Sequence, residues 1–192
     1  MRDRRRSLPY WQPGSAAIFL SWRLHGTLPA PPPEWELLAA AKRFVTEDRA
    51  LNRLATGERH LITPAVANVV AQTMQYGADT LHLYDLHAWV IMSNHVHMLI
   101  DPHVEVAPIT RSAKGDSARQ ANQILNRTGQ PFWAIEPYER WVRDLEELEN
   151  IIRYIEYNPV KAGLVENREE WPWSSAGLEA CVTAWRETAS VE

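Results

Sequence analysis

Two histidines separated by one residue, His95 and His97, stand in an apolar run of the chain. In a β-strand, residues two apart lie on the same face of the sheet, so both imidazoles would point the same way. Two adjacent imidazoles can bind one divalent metal ion, which can then act as a Lewis acid on a phosphodiester oxygen. The same spacing also fits two half-exposed histidines that bind nothing, and by itself it leaves both interpretations open.

A tyrosine and an asparagine, Tyr154 and Asn158, stand one helical turn apart at the end of a predicted helix over residues 144–157. The apolar positions of this helix form one stripe, which we predict to be its core face: Leu145, Leu148, Ile152 and Ile155. Tyr154 lies about 140° from the centre of that stripe, and Asn158 shares its face. A phenol held off the core for chemistry is one interpretation of this placement. An interfacial tyrosine followed by a helix-ending asparagine is the other, and the helix pattern by itself does not exclude it.

These residues could together transfer a phosphodiester. Two histidines and an amide oxygen can hold Mg²⁺ or Mn²⁺ and leave positions open, while a tyrosine phenol can attack phosphorus to form a covalent phosphotyrosine. Because a free phenol has a pKa of about 10, a metal, a water or a nearby base must assist its deprotonation. Tyr157 lies in the same helix, about 80° from the core centre on the other side, and is the competing nucleophile.

The strands and helices that must position these residues are predicted from the pattern of apolar residues along the chain. Strand patterns cover three segments: residues 16–24, 80–92 and 95–101. Helix patterns cover four segments: residues 34–55, 63–76, 108–126 and 144–157. Ser93-Asn94 predicts a tight connection between two strands, and Gly77 predicts the end of the second helix. The order strand, helix, helix, strand, strand, helix, helix predicts an α+β fold with a small, mainly antiparallel sheet and flanking helices.

Composition narrows the class of protein. The chain has 192 residues, of which 45% are hydrophobic and 23% are charged, as in an average globular domain. Its one cysteine, Cys181, excludes an internal disulfide and a cysteine-rich zinc site. A single cysteine fits a cytoplasmic protein, which is the expected location. No apolar run reaches the roughly 18 residues of a membrane helix, so we expect no membrane partner. We predict a basic irregular arm over residues 1–15, one domain over residues 16–176 and a C-terminal tail over residues 177–192.

Positive charge is concentrated locally, although the net charge of the chain is −4. The predicted helix 108–126 and its end carry four cations that could contact DNA phosphates: Arg111, Lys114, Arg119 and Arg127. A solvated helix face is the alternative. Three aromatic residues further on, Trp133, Tyr138 and Trp141, could stack on bases or could belong to the core.

Five segments, taken in order, form a specific set: FLSWRLHGTLP (19–29), HAWVIMSNHVHMLI (87–100), RTGQPFW (127–133), YIEYNPVKAGLV (154–165) and WPWSS (171–175). With this set the chain resembles the single-tyrosine HUH transposases, and among them the REP-associated tyrosine transposases. HUH denotes two histidines around a hydrophobic residue, here His95-Val96-His97. The resemblance covers most of residues 16–176.

The resemblance implies a ferredoxin-like or RRM-like palm, with the histidines on a central strand and the tyrosine on a neighbouring helix. It implies metal ligation by His95, His97 and Asn158, and nucleophilic attack by Tyr154. Tyr154 is preferred to Tyr157 because the family tyrosine stands five residues before the proline of NPV. Serine replaces the usual proline before Asn-His, which changes the turn and leaves the proposed ligands intact.

The implied activity is a metal-dependent endonuclease and transposase, using Mg²⁺ or Mn²⁺. It would nick and rejoin single-stranded DNA near hairpins through a phosphotyrosine, as a monomer or a homodimer. The main alternative is a non-cleaving module that binds hairpin DNA or RNA, and a purely structural metal site is another. A histidine-triad hydrolase is excluded because its third histidine would fall at Leu99.

Overall fold

Four antiparallel strands form one sheet in the part of the chain that the structure, a computed structural model, describes: residues 16–27, 40–53, 58–135 and 137–177. The strands are β1 (Ile18–Arg23), β2 (Tyr84–Ile91), β3 (His95–Pro102) and β4 (Tyr138–Trp141), in the spatial order β2-β3-β1-β4. This confirms the predicted α+β fold with a small antiparallel sheet, and the strand order is that of a ferredoxin-like palm. The predicted arm over residues 1–15, nearly all of the predicted tail and Cys181 lie outside the described residues.

Helices flank the sheet in these same ranges: α1 (Ala40–Arg53), α2 (Pro64–Asp79), α3 (Val106–Ile124), α4 (Leu145–Glu156) and the short α5 (Asn158–Lys161). Single 3₁₀ turns lie at His60–Ile62, Arg168–Glu170 and Ser175–Gly177. Asp144 caps α4, since its carboxylate accepts a hydrogen bond of 2.8 Å from the Glu147 amide. No helix within the described ranges is long and apolar enough to cross a membrane.

The two central strands share a register that places the histidines. Ser93 and Asn94 make the predicted tight turn between β2 and β3, and the Met92 amide donates to the His95 carbonyl at 2.8 Å. On its other side β3 pairs with β1, so that His97 faces Ser21 and His95 faces Arg23. Strand β4, which the sequence analysis did not predict, extends the sheet beyond β1.

The sheet separates two apolar clusters. One face is covered by α2 and α3 and receives three side chains from β3: Val96, Met98 and Ile100. The opposite face is covered by α4 and by Phe44 of α1, and Leu99 of β3 packs there. Strand alternation puts His95 and His97 on this second face, called the histidine face below.

The predicted core stripe of α4 is wrong at three positions. Leu145, in the first turn, is 77% exposed, whereas Tyr154 packs against the apolar cluster on the histidine face. The stripe left out Ile151, which also packs there and extends the apolar face of α4 towards Tyr154. A long aromatic side chain at the edge of a helical face can then reach the core.

The predicted end of α2 at Gly77 is also wrong, because the helix continues to Asp79. Gly77 is buried against Tyr84 of β2, whose hydroxyl donates to the Met74 carbonyl at 2.6 Å. A Cβ atom at position 77 would lie 2.5 Å from the Tyr84 oxygen. The glycine is therefore explained by close packing between helix and strand, and it does not end the helix.

We expect Gly77→Ala to destabilise the fold by about 1–3 kcal/mol through overpacking. Gly115→Ala is the matched control, since a Cβ in α3 at that position meets no atom within 4 Å. There alanine should stabilise the helix by about 0.5–1 kcal/mol. Urea unfolding of both variants measures the difference, and equal effects of the same sign would refute the packing argument.

Candidate active site

A carboxylate and two imidazoles meet on the histidine face. His95 and His97 are both completely buried, and Asp48 of α1 is 5% exposed. The Asp48 Oδ1 atom lies 3.0 Å from His97 Nε2 and 3.3 Å from His95 Nε2. One candidate ligand atom from each residue lies within 4.8 Å of the others. Sequence reasoning missed Asp48, which stands 47 residues before the first histidine on a different element.

The orientation of His95 follows from Asn94. The Asn94 amide nitrogen donates to the Leu51 carbonyl at 3.1 Å, so its oxygen must face His95 Nδ1, 2.7 Å away. Nδ1 therefore carries the proton, and the lone pair of Nε2 points towards Asp48. Metal-binding histidines typically have their other ring nitrogen held in this way.

The buried His95 Nε2 is an acceptor without a donor. It has no hydrogen-bond partner within the described residues, and the carboxylate oxygen nearest to it is another acceptor. Two such atoms at 3.3 Å repel one another unless a cation or a proton lies between them. Asp48, His95 and His97 therefore fit a divalent metal ion.

The charge of this cluster also suits a cation. Burial by itself would raise the pKa of Asp48, but when the imidazoles donate protons to it, their hydrogen bonds and charges outweigh burial and hold that pKa well below its usual range. Burial lowers the pKa of His95. At neutral pH the cluster thus presents a carboxylate beside a neutral imidazole, a donor set that a divalent metal ion can use.

Tyr154 lies beside the cluster. Its ring centroid is 5.6 Å from that of His97, and Lys161 Nζ lies 5.1 Å from the same tyrosine ring. The hydroxyl oxygen is buried and makes no hydrogen bond of standard geometry to any described residue. Burial first, and then the negative charge of Asp48, raise the Tyr154 pKa well above its ordinary value. The phenol is therefore neutral in this state.

Asn158 reaches the cluster through a second asparagine. It is 1% exposed, and its amide oxygen accepts a hydrogen bond of 3.0 Å from Asn52 Nδ2. Asn52 lies one turn after Asp48 on α1, and its nitrogen is also 3.3 Å from Asp48 Oδ2. Asn52 is thus a further site residue that sequence reasoning missed. Its polar side chain at helical spacing from Asp48 is the signal that could have revealed it.

Tyr157, the competing tyrosine, lies outside this cluster. It is 42% exposed, and the guanidinium carbon of Arg168 lies 5.2 Å from its ring centroid. Of the two candidate tyrosines, the structure therefore places Tyr154 beside the two histidines.

The predicted DNA-contact residues lie on the other side of the sheet, on α3 and the turn after it. Arg111 and Arg119 are exposed. Lys114 donates to the carbonyls of Ala134 and Ile135, at 2.7 and 2.8 Å, and burial lowers its pKa. Arg127 pairs with Glu58 at 3.4 Å. The sheet thus separates these four cations from the histidine face.

We expect Asn94→Ala to weaken Mn²⁺ binding by about 10- to 100-fold, because His95 loses the partner that sets its tautomer. Isothermal titration calorimetry and Mn²⁺ electron paramagnetic resonance measure the affinity without any DNA. Far-UV circular dichroism checks that the variant folds. Unchanged affinity in a folded variant would show that Asn94 does not orient the metal-facing nitrogen.

The fold and the site define a class of protein: a ferredoxin-like palm with two buried histidines on a central strand and a tyrosine on a flanking helix. Residues 54–158 match the family model described as Transposase IS200 like, and the chain belongs to this family. This confirms the predicted resemblance to tyrosine transposases.

Individual relatives agree with this assignment. Over 97 residues the chain is 30% identical to a Haemophilus influenzae protein whose name places it among the REP-associated tyrosine transposases. That match covers 44% of this chain and 54% of the relative, so it spans about half of the relative's length. Among solved structures, a REP-associated tyrosine transposase bound to a REP hairpin has the same fold, with a TM-score of 0.55 and 17% identity. The similarity covers 91% of this chain and 82% of that one.

Proposed function

We propose that this transposase-family protein nicks and rejoins single-stranded DNA near hairpins through a covalent phosphotyrosine at Tyr154. The observation that carries the proposal is the position of Tyr154, whose ring lies 5.6 Å from His97 in a cluster that also contains Asp48 and His95. A nucleophile beside side chains that could hold a metal ion is an arrangement suited to metal-assisted phosphoryl transfer. The hairpin bound by the structural relative supports hairpin DNA as the substrate.

In the first step the Tyr154 oxygen attacks phosphorus. A bond forms between that oxygen and phosphorus, and the bond from phosphorus to the leaving deoxyribose oxygen breaks. The phenol loses its proton, and the leaving oxygen gains one as a free hydroxyl. In the second step a DNA hydroxyl attacks the phosphotyrosine and restores the phenol. The phosphotyrosine keeps the energy of the original bond, so rejoining needs no nucleotide cofactor.

The residues proposed to hold the metal are Asp48, His95 and His97, with Asn158 adjacent. Mg²⁺ or Mn²⁺ bound there would polarise a phosphodiester oxygen and offset the Asp48 charge, which together with burial keeps the phenol protonated. Asn94 holds the His95 ring, and Asn52 holds both Asp48 and Asn158. These contacts fix the orientation of the buried side chains proposed as metal ligands, and they are present without bound DNA.

The cations on α3 enter this proposal in a separate role. Arg111, Lys114, Arg119 and Arg127 face away from the histidine face, so they would contact phosphates of the hairpin at a distance from the scissile bond. Of the four, Arg111 and Arg119 are exposed and available. Their substitution should weaken hairpin binding and reduce its salt dependence, with little effect on the chemical step.

The experiment incubates purified protein with labelled DNA hairpins that carry varied single-stranded flanks, with Mg²⁺ or Mn²⁺. We expect a protein–DNA adduct that survives denaturation, requires the metal and maps by mass spectrometry to the peptide containing Tyr154. Size-exclusion chromatography with light scattering distinguishes the monomer from the homodimer.

The second candidate is a module that binds hairpin DNA or RNA without cleaving it. One observation favours it: the Tyr154 hydroxyl is buried, and among the described residues no side chain that could accept its proton makes a standard hydrogen bond to it. Tight hairpin binding with no adduct, over a broad set of flanks and both metals, would support this module and contradict the nuclease.

A further inference from the structure

A cavity of about 430 Å³ opens directly beside Tyr154 on the histidine face. Four elements supply its walls, because it is lined by Phe19 of β1, Phe44 of α1, Tyr138 of β4, and Ile151 and Tyr154 of α4. The proposed reaction assigns no role to this space. The ring of Tyr154 is itself part of the cavity wall.

The walls of the cavity are aromatic. Phe44 and Tyr138 are stacked, with ring centroids 4.3 Å apart and planes inclined by 21°. Phe19 meets the edge of Phe44 at 5.3 Å, and Tyr154 lies 6.2 Å from both phenylalanines. Phe19 is buried, whereas Phe44, Tyr138 and Tyr154 are partly exposed and give the cavity an aromatic lining suited to a flat aromatic ligand.

The other two aromatic candidates from the sequence do not share this position. Trp133 is 8% exposed in the core on the opposite face, and its indole nitrogen donates to Ser117 at 3.0 Å. Trp141 packs against that same core. Tyr138 is thus the one of the three that lines the cavity beside Tyr154.

The charges at the rim argue against a phosphate as the occupant. Arg140 and Arg143 both pair with Glu147, whose side chain is only 10% exposed. Asp144 and Glu146 also line the cavity, so carboxylates outnumber guanidinium groups there. A DNA backbone would meet no excess of positive charge, whereas a neutral base can use both the donors and the acceptors.

We propose that this cavity binds one unpaired nucleobase next to the phosphate attacked by Tyr154, and that it thereby selects the cleavage position. The inference rests on the proposed function and adds a specificity site to it. The base would lie against the aromatic walls. The Asn150 side chain at the rim accepts a hydrogen bond of 3.2 Å from Arg153 through its oxygen, and its amide nitrogen can donate to an acceptor on the edge of the base. A nucleotide held in this way positions the neighbouring phosphodiester for attack.

The first test uses binding alone, so that it does not depend on cleavage. Tyr154→Phe protein is titrated with hairpin DNA in which 2-aminopurine replaces one base at a time along the single-stranded flank. We expect strong fluorescence quenching at one position, and expect an abasic nucleotide there to weaken binding by about 10- to 100-fold. Uniform fluorescence along the flank would overturn the proposal.

Variants of the cavity wall sharpen the test. Tyr138→Leu should reduce the affinity of the intact strand to that of the abasic strand, while Tyr138→Phe should retain the difference. Tyr76→Leu is the matched control, since Tyr76 is 55% exposed on α2, across the sheet from the cavity. Asn150→Ala, at an exposed position, should change which base is preferred at the selected position. The proposal would be overturned if Tyr138→Leu still bound the intact strand more tightly than the abasic strand and Asn150→Ala kept the wild-type base preference.

The outcome also separates the two proposals. A selected base without any adduct in the wild-type protein would support the base site and contradict the nuclease. An adduct that forms equally well with abasic DNA at every flanking position would support the nuclease and overturn the base site. Absence of DNA binding would contradict both.

Discussion

Tyr154→Phe is expected to abolish the covalent DNA adduct while leaving the protein at least as stable as the wild type. Loss of a catalytic nucleophile removes the chemical step itself, so adduct formation should fall by at least about 1,000-fold. The hydroxyl is buried without a standard hydrogen bond among the described residues. Its removal should therefore leave the free energy of unfolding unchanged or raise it by up to about 1–2 kcal/mol.

Tyr157→Phe is the matched control, because it removes the same group three residues later on an exposed side chain. Adduct yield on a denaturing gel measures the activity, and thermal unfolding without metal measures the stability. Normal activity of Tyr157→Phe with none from Tyr154→Phe supports the assignment. The reverse result would keep the reaction class and move the nucleophile to Tyr157.

The second large effect is expected at the metal. Asp48→Asn should weaken Mn²⁺ binding by at least about 100-fold, more than the loss of a residue that only orients a ligand. The substitution removes the negative charge of the cluster and keeps the shape of the side chain. Wild-type protein at a Mn²⁺ concentration 100 times its Kd should gain about 2.7 kcal/mol in unfolding free energy, and the variant should gain almost none.

Calorimetric titration and metal-dependent thermal shifts measure this difference without DNA. Glu47→Gln is the control, because Glu47 is the preceding residue on α1 and accepts a hydrogen bond of 2.8 Å from Arg43. His95→Ala should behave like Asp48→Asn. Wild-type affinity in Asp48→Asn, with loss in His95→Ala, would remove Asp48 from the ligand set and leave Asn158 as the third candidate.

Several features of the site were predictable because they depend on local geometry. His95 and His97 share a face because side chains alternate along any strand. Ser93-Asn94 makes a turn because short polar residues tolerate one there. The order of strand and helix patterns was sufficient to predict the α+β class. Each of these properties depends on neighbours within a few positions along the chain.

Other features depend on how elements far apart in the chain pack together. The periodicity of apolar residues within one helix or strand does not predict this packing. Asp48 meets the histidines only because α1 lies on the histidine face. Tyr154 packs against the rings of Phe19 and Phe44, although its angle around the helix axis predicted a position away from the core face. Gly77 was predicted to end a helix and instead makes room for Tyr84.

The tertiary structure also decided that the cations of α3 lie on the opposite side of the sheet from the two histidines. The sequence by itself determined that α3 carries cations and that β3 carries two histidines on one face. Only the packing of the sheet, with α3 on one side and α4 on the other, placed them on opposite faces. The physical reason is that the hydrophobic effect has no preferred direction: it favours a helix covering the sheet without specifying which face. The face that the helix covers depends on how closely it packs with elements far apart in sequence.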